Sequence, residues 1–263
     1  MKKKIALPLL LALALLVFSG IRLWTENRIF DNVSFFLNIP QYLASYFDEE
    51  VLLSLIFIES DGKMRDHQRS GHSLVLISEE NESFTLTNYS VESLKVGSFL
   101  SPYSIFRINI ALELNAYEHL QMTFNEIEIG GHKYDIGEIV IEKIPPIGDL
   151  NVGVGATMFS SRINYLELIV INDEVEPITV TGVIFYLNGD RINILEDYVL
   201  LSQGEAFDCR FDLSFLDDVN FSIVPKIEIE FLDNPIFLRT PSSIHFVDDI
   251  MKEDIGVLIK GDD

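Results

Sequence analysis

The feature that most restricts this chain is a two-residue rhythm of apolar side chains, repeated in short runs over most of its length. Over residues 105–114, Ile108, Ile110, Leu112 and Leu114 fall on one side of an extended chain, and Arg107, Asn109, Ala111 and Glu113 on the other. Successive side chains of a strand point to opposite faces, so this period marks a strand with one buried face. Comparable runs occupy 51–58, 73–77, 84–87, 123–129, 138–141, 152–159, 165–171, 178–187, 206–213 and 227–231. Turn formers separate them: Asp61-Gly62, Gly130-Gly131, Pro145-Pro146, Asn188-Gly189 and Asp233-Asn234-Pro235. Many short strands with one polar face predict an all-β fold of antiparallel sandwiches. Helix is expected in two short places. One is 40–47, where Pro40 takes the first position and Tyr42, Leu43, Tyr46 and Phe47 share a side; the other is about 247–253.

The N-terminus reads differently. Lys2, Lys3 and Lys4 precede an uncharged run from Ile5 to Phe18, followed by Ser19-Gly20-Ile21-Arg22-Leu23-Trp24. A basic patch ahead of an apolar run directs a chain to the membrane insertion machinery, with the lysines staying cytoplasmic and the remainder exported. Two outcomes fit residues 1–24. As a cleaved signal peptide, the apolar region of 14 residues has a suitable length, with Val17 and Ser19 as small residues before a cut at Gly20. As a signal anchor, Ile5 to Trp24 supplies 20 residues, enough to span the hydrocarbon as a helix. Arg22 would then snorkel outward and Trp24 would lie at the interface. The expected location is a single-pass protein of the cell membrane with its bulk outside the cytoplasm, or a secreted protein if cut near Gly20.

Charge narrows the partners. The chain has 19 Lys+Arg against 41 Asp+Glu, net −22; removing the three lysines of residues 1–20 leaves 16 against 41, net −25. Such a surface repels phosphate backbones and anionic lipid, so nucleic acid is excluded as a partner, while cations or basic proteins are attracted. The single cysteine, Cys209, allows no internal disulfide, and its alternation with Phe207, Phe211 and Leu213 places it on an apolar face as an inert thiol. Stability must therefore come from burial, for which about 240 residues rich in Ile, Leu, Val and Phe suffice in one large or two ordinary domains.

A weak repeat of 56–58 residues runs through the second half. A strand ending in Asn115 parallels one ending in Asn172; residues 123–127 parallel 179–183; Gly131, Ile136 and Gly148 parallel Gly189, Ile194 and Gly204. The second copy has Tyr165 to Asn172, then Glu176-Pro177-Ile178, a strand into Asn188-Gly189, then Ser202-Gln203-Gly204 and a final strand. This pattern resembles the water-stress and hypersensitive response (WHy) module of type 2 late embryogenesis abundant proteins. The resemblance covers roughly 104–246, and departs from the family where Asp173 stands in place of proline after the strand-ending Asn. It implies a fibronectin-type-III-like sandwich without catalytic residues and with a protective or binding role. The residues also make sense as fold formers. Asn at a strand end tolerates the left-handed region and caps its own turn, Pro177 suits a strand start, and Asn188-Gly189 suits a type I′ hairpin.

Reactive chemistry is thinly represented. The most polar stretch, 60–73, gathers Lys63, Arg65, His67, Arg69 and His72 in a chain short of cations. It reads either as a loop that grips an anion or an acidic partner, or as a long solvated hairpin. Two His five residues apart match no zinc spacing, and no metal, cofactor or catalytic set is expected. Acid pairs such as Asp173-Glu174, Asp217-Asp218 and Asp248-Asp249 lack the spacing of a calcium loop. No nucleophile elbow, phosphate loop or dinucleotide fingerprint is present, although two carboxylates alone suffice for a glycosidase.

The sequence thus leads to two tandem immunoglobulin- or fibronectin-III-like units after an N-terminal hydrophobic helix, over 30–146 and 147–246, with an acidic tail at 247–263. The expected role is non-catalytic: binding, scaffolding or surface protection at a membrane. Two alternatives stay open. One is an extracellular hydrolase with a carboxylate pair in a cleft between the units; the other is a subunit of a larger membrane-bound assembly.

Overall fold

The computed structural model describes residues 34–60, 64, 73–94, 104–113, 120–158, 165–187, 189–213, 221–240 and 244–246. All of its regular elements of three or more residues are strands. In chain order they are β1 (Ser34–Phe36), β2 (Gln41–Tyr46), β3 (Glu50–Glu59), β4 (Leu74–Ser78), β5 (Ser83–Leu86), β6 (Tyr89–Leu94) and β7 (Ser104–Glu113). Then follow β8 (Gln121–Ile129), β9 (His132–Ile144), β10 (Val152–Met158), β11 (Tyr165–Asn172), β12 (Ile178–Leu187) and β13 (Asp190–Asn193). The last are β14 (Val199–Leu201), β15 (Ala206–Asp212), β16 (Phe221–Val224), β17 (Lys226–Phe231), β18 (Asn234–Arg239) and β19 (Ile244–Phe246).

These strands build four sheets. Sheet A has the order β1-β3-β7-β6, and sheet B the order β19-β16-β2-β9-β8-β4-β5. Sheet C is β10-β11-β15, and sheet D is β13-β12-β17-β18 with β14 beside β12. The alternation read from the sequence decides which side chains pack. On β7, Phe106, Ile108, Ile110 and Leu112 enter one core with Leu53, Leu55 and Phe57 of β3 and with Leu76, Phe124 and Ile127 from sheet B. A second core joins Leu166, Leu168 and Val170 of sheet C to Val183, Phe185, Ile227 and Ile229 of sheet D. Each fully buried side chain of this kind contributes about 1.5–3 kcal/mol, which replaces disulfides as the source of stability.

Sheet B takes part in both cores. Leu43, Ile139, Ile141 and Val224 face the first, whereas Tyr42, Ala44, Val140 and Ile223, their immediate neighbours, face the second. The three strands β16, β2 and β9 are therefore buried on both faces. That double burial corrects the helix expected over 40–47. The segment is β2, because its apolar residues occupy both parities of a strand lying between two partners. It pairs parallel with β9, Leu43 opposite Ile141, and parallel with β16, Leu43 opposite Val224. These two parallel ladders also depart from the wholly antiparallel expectation. The second expected helix, 247–253, lies outside the described residues.

Register shifts in three ladders adjust the packing. The register of β12 on β17 shifts between Val180 and Gly182, so Ile178 and Val180 point into the second core before the shift and Val183, Phe185 and Leu187 after it. Opposite the shift in β8, Gly137 has φ +77°, and a Cβ there would lie 1.9 Å from Asn38 Oδ1. Only glycine meets both demands. The Gly130-Gly131 hairpin has both residues in the left-handed region, as a two-residue turn between Ile129 and His132 requires. The final hairpin differs from the sequence reading: Phe231 pairs with Asn234, so Leu232-Asp233 forms the turn and Pro235 falls in the edge strand β18.

Candidate functional site

On β9 the side chains of Glu138, Val140 and Glu142 share the face turned to sheet D, and the two carboxylates are spent on that contact. The Tyr42 hydroxyl donates to Glu142 Oε2 at 2.5 Å, and Lys226 Nζ donates to Glu142 Oε1 at 2.5 Å. Lys226 also lies 3.7 Å from Glu228 Oε1 and 5.1 Å from the centre of the Phe237 ring. Arg191 closes the chain of charges at 3.5 Å from Glu228. Tyr42, with no exposed surface, packs its ring 5.4 Å from that of Tyr186. A second clasp is next to the first, since Lys226 and Arg239 are cross-strand partners. Arg239 Nε donates to Glu49 Oε2 at 2.8 Å, and its guanidinium sits 5.4 Å from the Tyr46 ring. A third is the Gly189 N–H, which donates to Glu138 Oε2 at 2.9 Å.

The chemistry follows from burial. Desolvation first, and the Glu142 carboxylate next, push the Tyr42 phenol well above its ordinary range. Folded protein therefore holds the phenolic proton after the unfolded chain begins to lose it near pH 10, and stability falls as pH rises past that point. Alkaline urea titrations are expected to lose up to about 1.4 kcal/mol per pH unit above pH 10 to this group. The Tyr42→Phe variant is expected to have a correspondingly shallower slope. Equal slopes would rule out the assignment. Tyr42 is fully buried and Lys226 only 7 % exposed, and through Glu142 and Glu228 the set joins sheet B to one end of sheet D.

A second polar knot surrounds Asn172, which is fully buried at the end of β11. Its Nδ2 donates to the carbonyls of Glu176 and Leu201, each at 3.0 Å, and its Oδ1 accepts the Glu174 N–H at 2.9 Å. The Gly204 N–H donates to the Asn172 carbonyl at 2.7 Å. Asn172 thus caps its own turn as read from the sequence, but it does so outside the left-handed region, which Gly204 occupies with φ +74°. Of the acid pairs, Glu174 accepts the Asn151 N–H at 2.5 Å; Asp217-Asp218 and Asp248-Asp249 lie outside the described residues.

The residues singled out in the sequence are placed unevenly. Lys63, Arg65, His67, Arg69 and His72, together with Arg22, Trp24 and the whole of residues 1–24, lie outside the described residues. Within the basic stretch Met64 is fully buried in the first core, and its N–H donates to Glu59 Oε2 at 2.6 Å. Cys209 lies half-buried against the second core rather than fully inside it, because sheet C ends at β15. Among the described residues no three His, Cys, Asp or Glu side chains gather to hold a metal, and no helix is long and apolar enough to cross a membrane. A hollow of about 180 Å³ opens at the β4–β5 turn, lined by Glu79, Glu80, Glu82, Gln121 and neighbours. It shares no residue with the ionic clasp. The sequence reading missed Glu142 and Lys226. Their only signal was a polar residue on an otherwise apolar strand, as in Ile223-Val224-Pro225-Lys226-Ile227.

No protein-family model matches the chain, and no curated protein does. Among solved structures, the crystal structure of a DUF4785 family protein from Legionella pneumophila is similar at 11% identity, with a TM-score of 0.23. The match covers 81% of this chain and 56% of that one, so the chain spans little more than half of its length. A likeness this slight bears on neither fold detail nor function.

Proposed function

We propose that this chain is a non-catalytic binding or scaffolding protein, tethered to a membrane through residues 5–24 and carried outside the cytoplasm. Its exported part is two sandwich units, 30–146 and 147–246. The strand orders support this reading. Sheets A and B place β1-β3-β7-β6 against β2-β9-β8-β4-β5, the A-B-E-D and A′-G-F-C-C′ arrangement of an immunoglobulin-type sandwich, with β2 parallel to β9 as A′ is to G. Sheets C and D place A-B-E against C′-C-F-G, as fibronectin type III does. In the second unit, Glu176 and Gly204 both hydrogen-bond to Asn172, and these three residues carry the resemblance to the WHy module, consistent with a module of that kind.

The observation that carries the non-catalytic reading is how the buried Tyr42 and Lys226 are spent on the half-buried Glu142. Glu142, Lys226 and Tyr42 satisfy one another between sheets, so they serve as a weld and not as acid–base machinery. The insertions β16 and β19 reinforce that weld, because they leave the second unit to extend sheet B beside β2. A welded pair of sandwiches on an anchor holds a binding surface at a set distance from the membrane. The test is fractionation of cells producing the full chain with a C-terminal tag. The tagged protein is expected in carbonate-washed membranes, degraded by protease added to intact cells, with residues 1–20 still present by mass spectrometry. A soluble product beginning at Gly20 in the medium would overturn the tether.

A further inference from the structure

Three connections meet at the end of sheet D opposite the ionic clasp. Leu201, Ile178 and Phe231 lie side by side in one row across β14, β12 and β17. Neighbouring strands are about 4.8 Å apart, so the segments leaving this row are adjacent: 173–177, 202–205 and the turn Leu232-Asp233. Asn172 ties the first two together through Glu176, Leu201 and Gly204. This end exposes aliphatic side chains that the fold has not covered: Val175 at 75 %, Leu232 at 60 % and Leu200 at 61 %. Leu232 is held at φ +50°, a conformation that costs a leucine about 1–2 kcal/mol and that asparagine or glycine adopts with ease.

Charge says what covers such a patch. The segments 171–177, 200–206 and 230–235 contain no Lys, Arg or His, and Asp173, Glu176 and Asp233 stand exposed around the aliphatics. Anionic lipid, an acidic protein and a second copy of this chain are all repelled by that rim. We propose that this end of the second unit is a docking surface for a basic, leucine-bearing segment of a partner protein. The aliphatics supply contact area and the acids supply orientation. This rests on the binding role proposed above and names the surface and the partner's chemistry.

The test uses the full chain in nanodiscs of zwitterionic lipid and two labelled synthetic peptides, one of alternating leucine and lysine and one of alternating serine and lysine. Fluorescence anisotropy, corrected for empty discs, compares the natural protein with Val175→Ser/Leu232→Asn. The leucine-lysine peptide is expected to bind the variant at least about tenfold more weakly, the loss of two buried aliphatic contacts, while the serine-lysine peptide binds both equally and weakly. The thermal midpoint of the variant is expected not to fall, because asparagine tolerates the left-handed turn, and this separates lost docking from lost folding. Equal binding of the leucine-lysine peptide to both proteins would overturn the proposal by reducing the attraction to overall charge. A natural protein that dimerises without peptide, and a variant that does not, would overturn it in favour of a second copy. Neither failure touches the tether, which fractionation tests separately.

Discussion

Replacing Glu142 with alanine is expected to destabilise the protein by about 3–5 kcal/mol, the cost of leaving a buried charge without its partner. The geometry makes the loss double. Glu142 accepts from the Tyr42 hydroxyl on one oxygen and from Lys226 on the other, each at 2.5 Å; Tyr42 has no exposed surface and Lys226 is only 7 % exposed. Lys226 keeps Glu228 at 3.7 Å, too long for a hydrogen bond. Burying the two ions has its own desolvation cost, so the complete set is worth less than its parts suggest. The triple variant Tyr42→Phe/Glu142→Leu/Lys226→Met is therefore expected to recover most of the lost stability. Urea denaturation of the single and triple variants measures both numbers. A Glu142→Ala loss below about 1 kcal/mol would mean that the clasp is peripheral, in the range of a surface pair.

Asn172→Ala is expected to cost about 2–4 kcal/mol, from the Leu201 carbonyl left buried without its partner and from the lost, part-buried bonds to the Glu176 carbonyl and the Glu174 N–H. Asn172→Asp distinguishes the contributions. Aspartate keeps an acceptor for the Glu174 N–H but cannot donate to Leu201 or Glu176, and its charge would sit against two carbonyl oxygens in a site with no exposed surface. It is expected to be no better than alanine, and to improve as pH falls toward the carboxylate range, where protonation restores a donor. An aspartate variant as stable as the natural protein at neutral pH would show that the donor bonds contribute nothing.

The all-β architecture was legible because strand burial writes itself into a period of two. The odd and even residues of β7 separate as the sequence divides them, with Ile108 and Ile110 fully buried. The same rule misled at β2. A strand buried on both faces loses its period, and Tyr42, Leu43 and Ala44 then resemble a helical face as much as a strand. Pairing was the second illegible step. Nothing local in Phe221-Ser-Ile-Val224 says that it runs parallel to the distant strand β2, with Ile223 opposite Tyr42. The ionic clasp is hidden for the same reason: Glu142 and Lys226 are 84 residues apart and meet only through the sheets. By contrast, Asn172 and Gly204 were marked in advance, since turn chemistry is local even when the bonds it makes are not.

The proposed tether holds a surface at a fixed distance from a membrane only if the two proposed sandwich units form one rigid body. Scanning calorimetry of the full chain in detergent tests this most directly. One unfolding transition is predicted, with the calorimetric and van't Hoff enthalpies equal, and Glu142→Ala is predicted to lower its midpoint as a whole. Two separable transitions in the natural protein, one of which ignores Glu142→Ala, would contradict it.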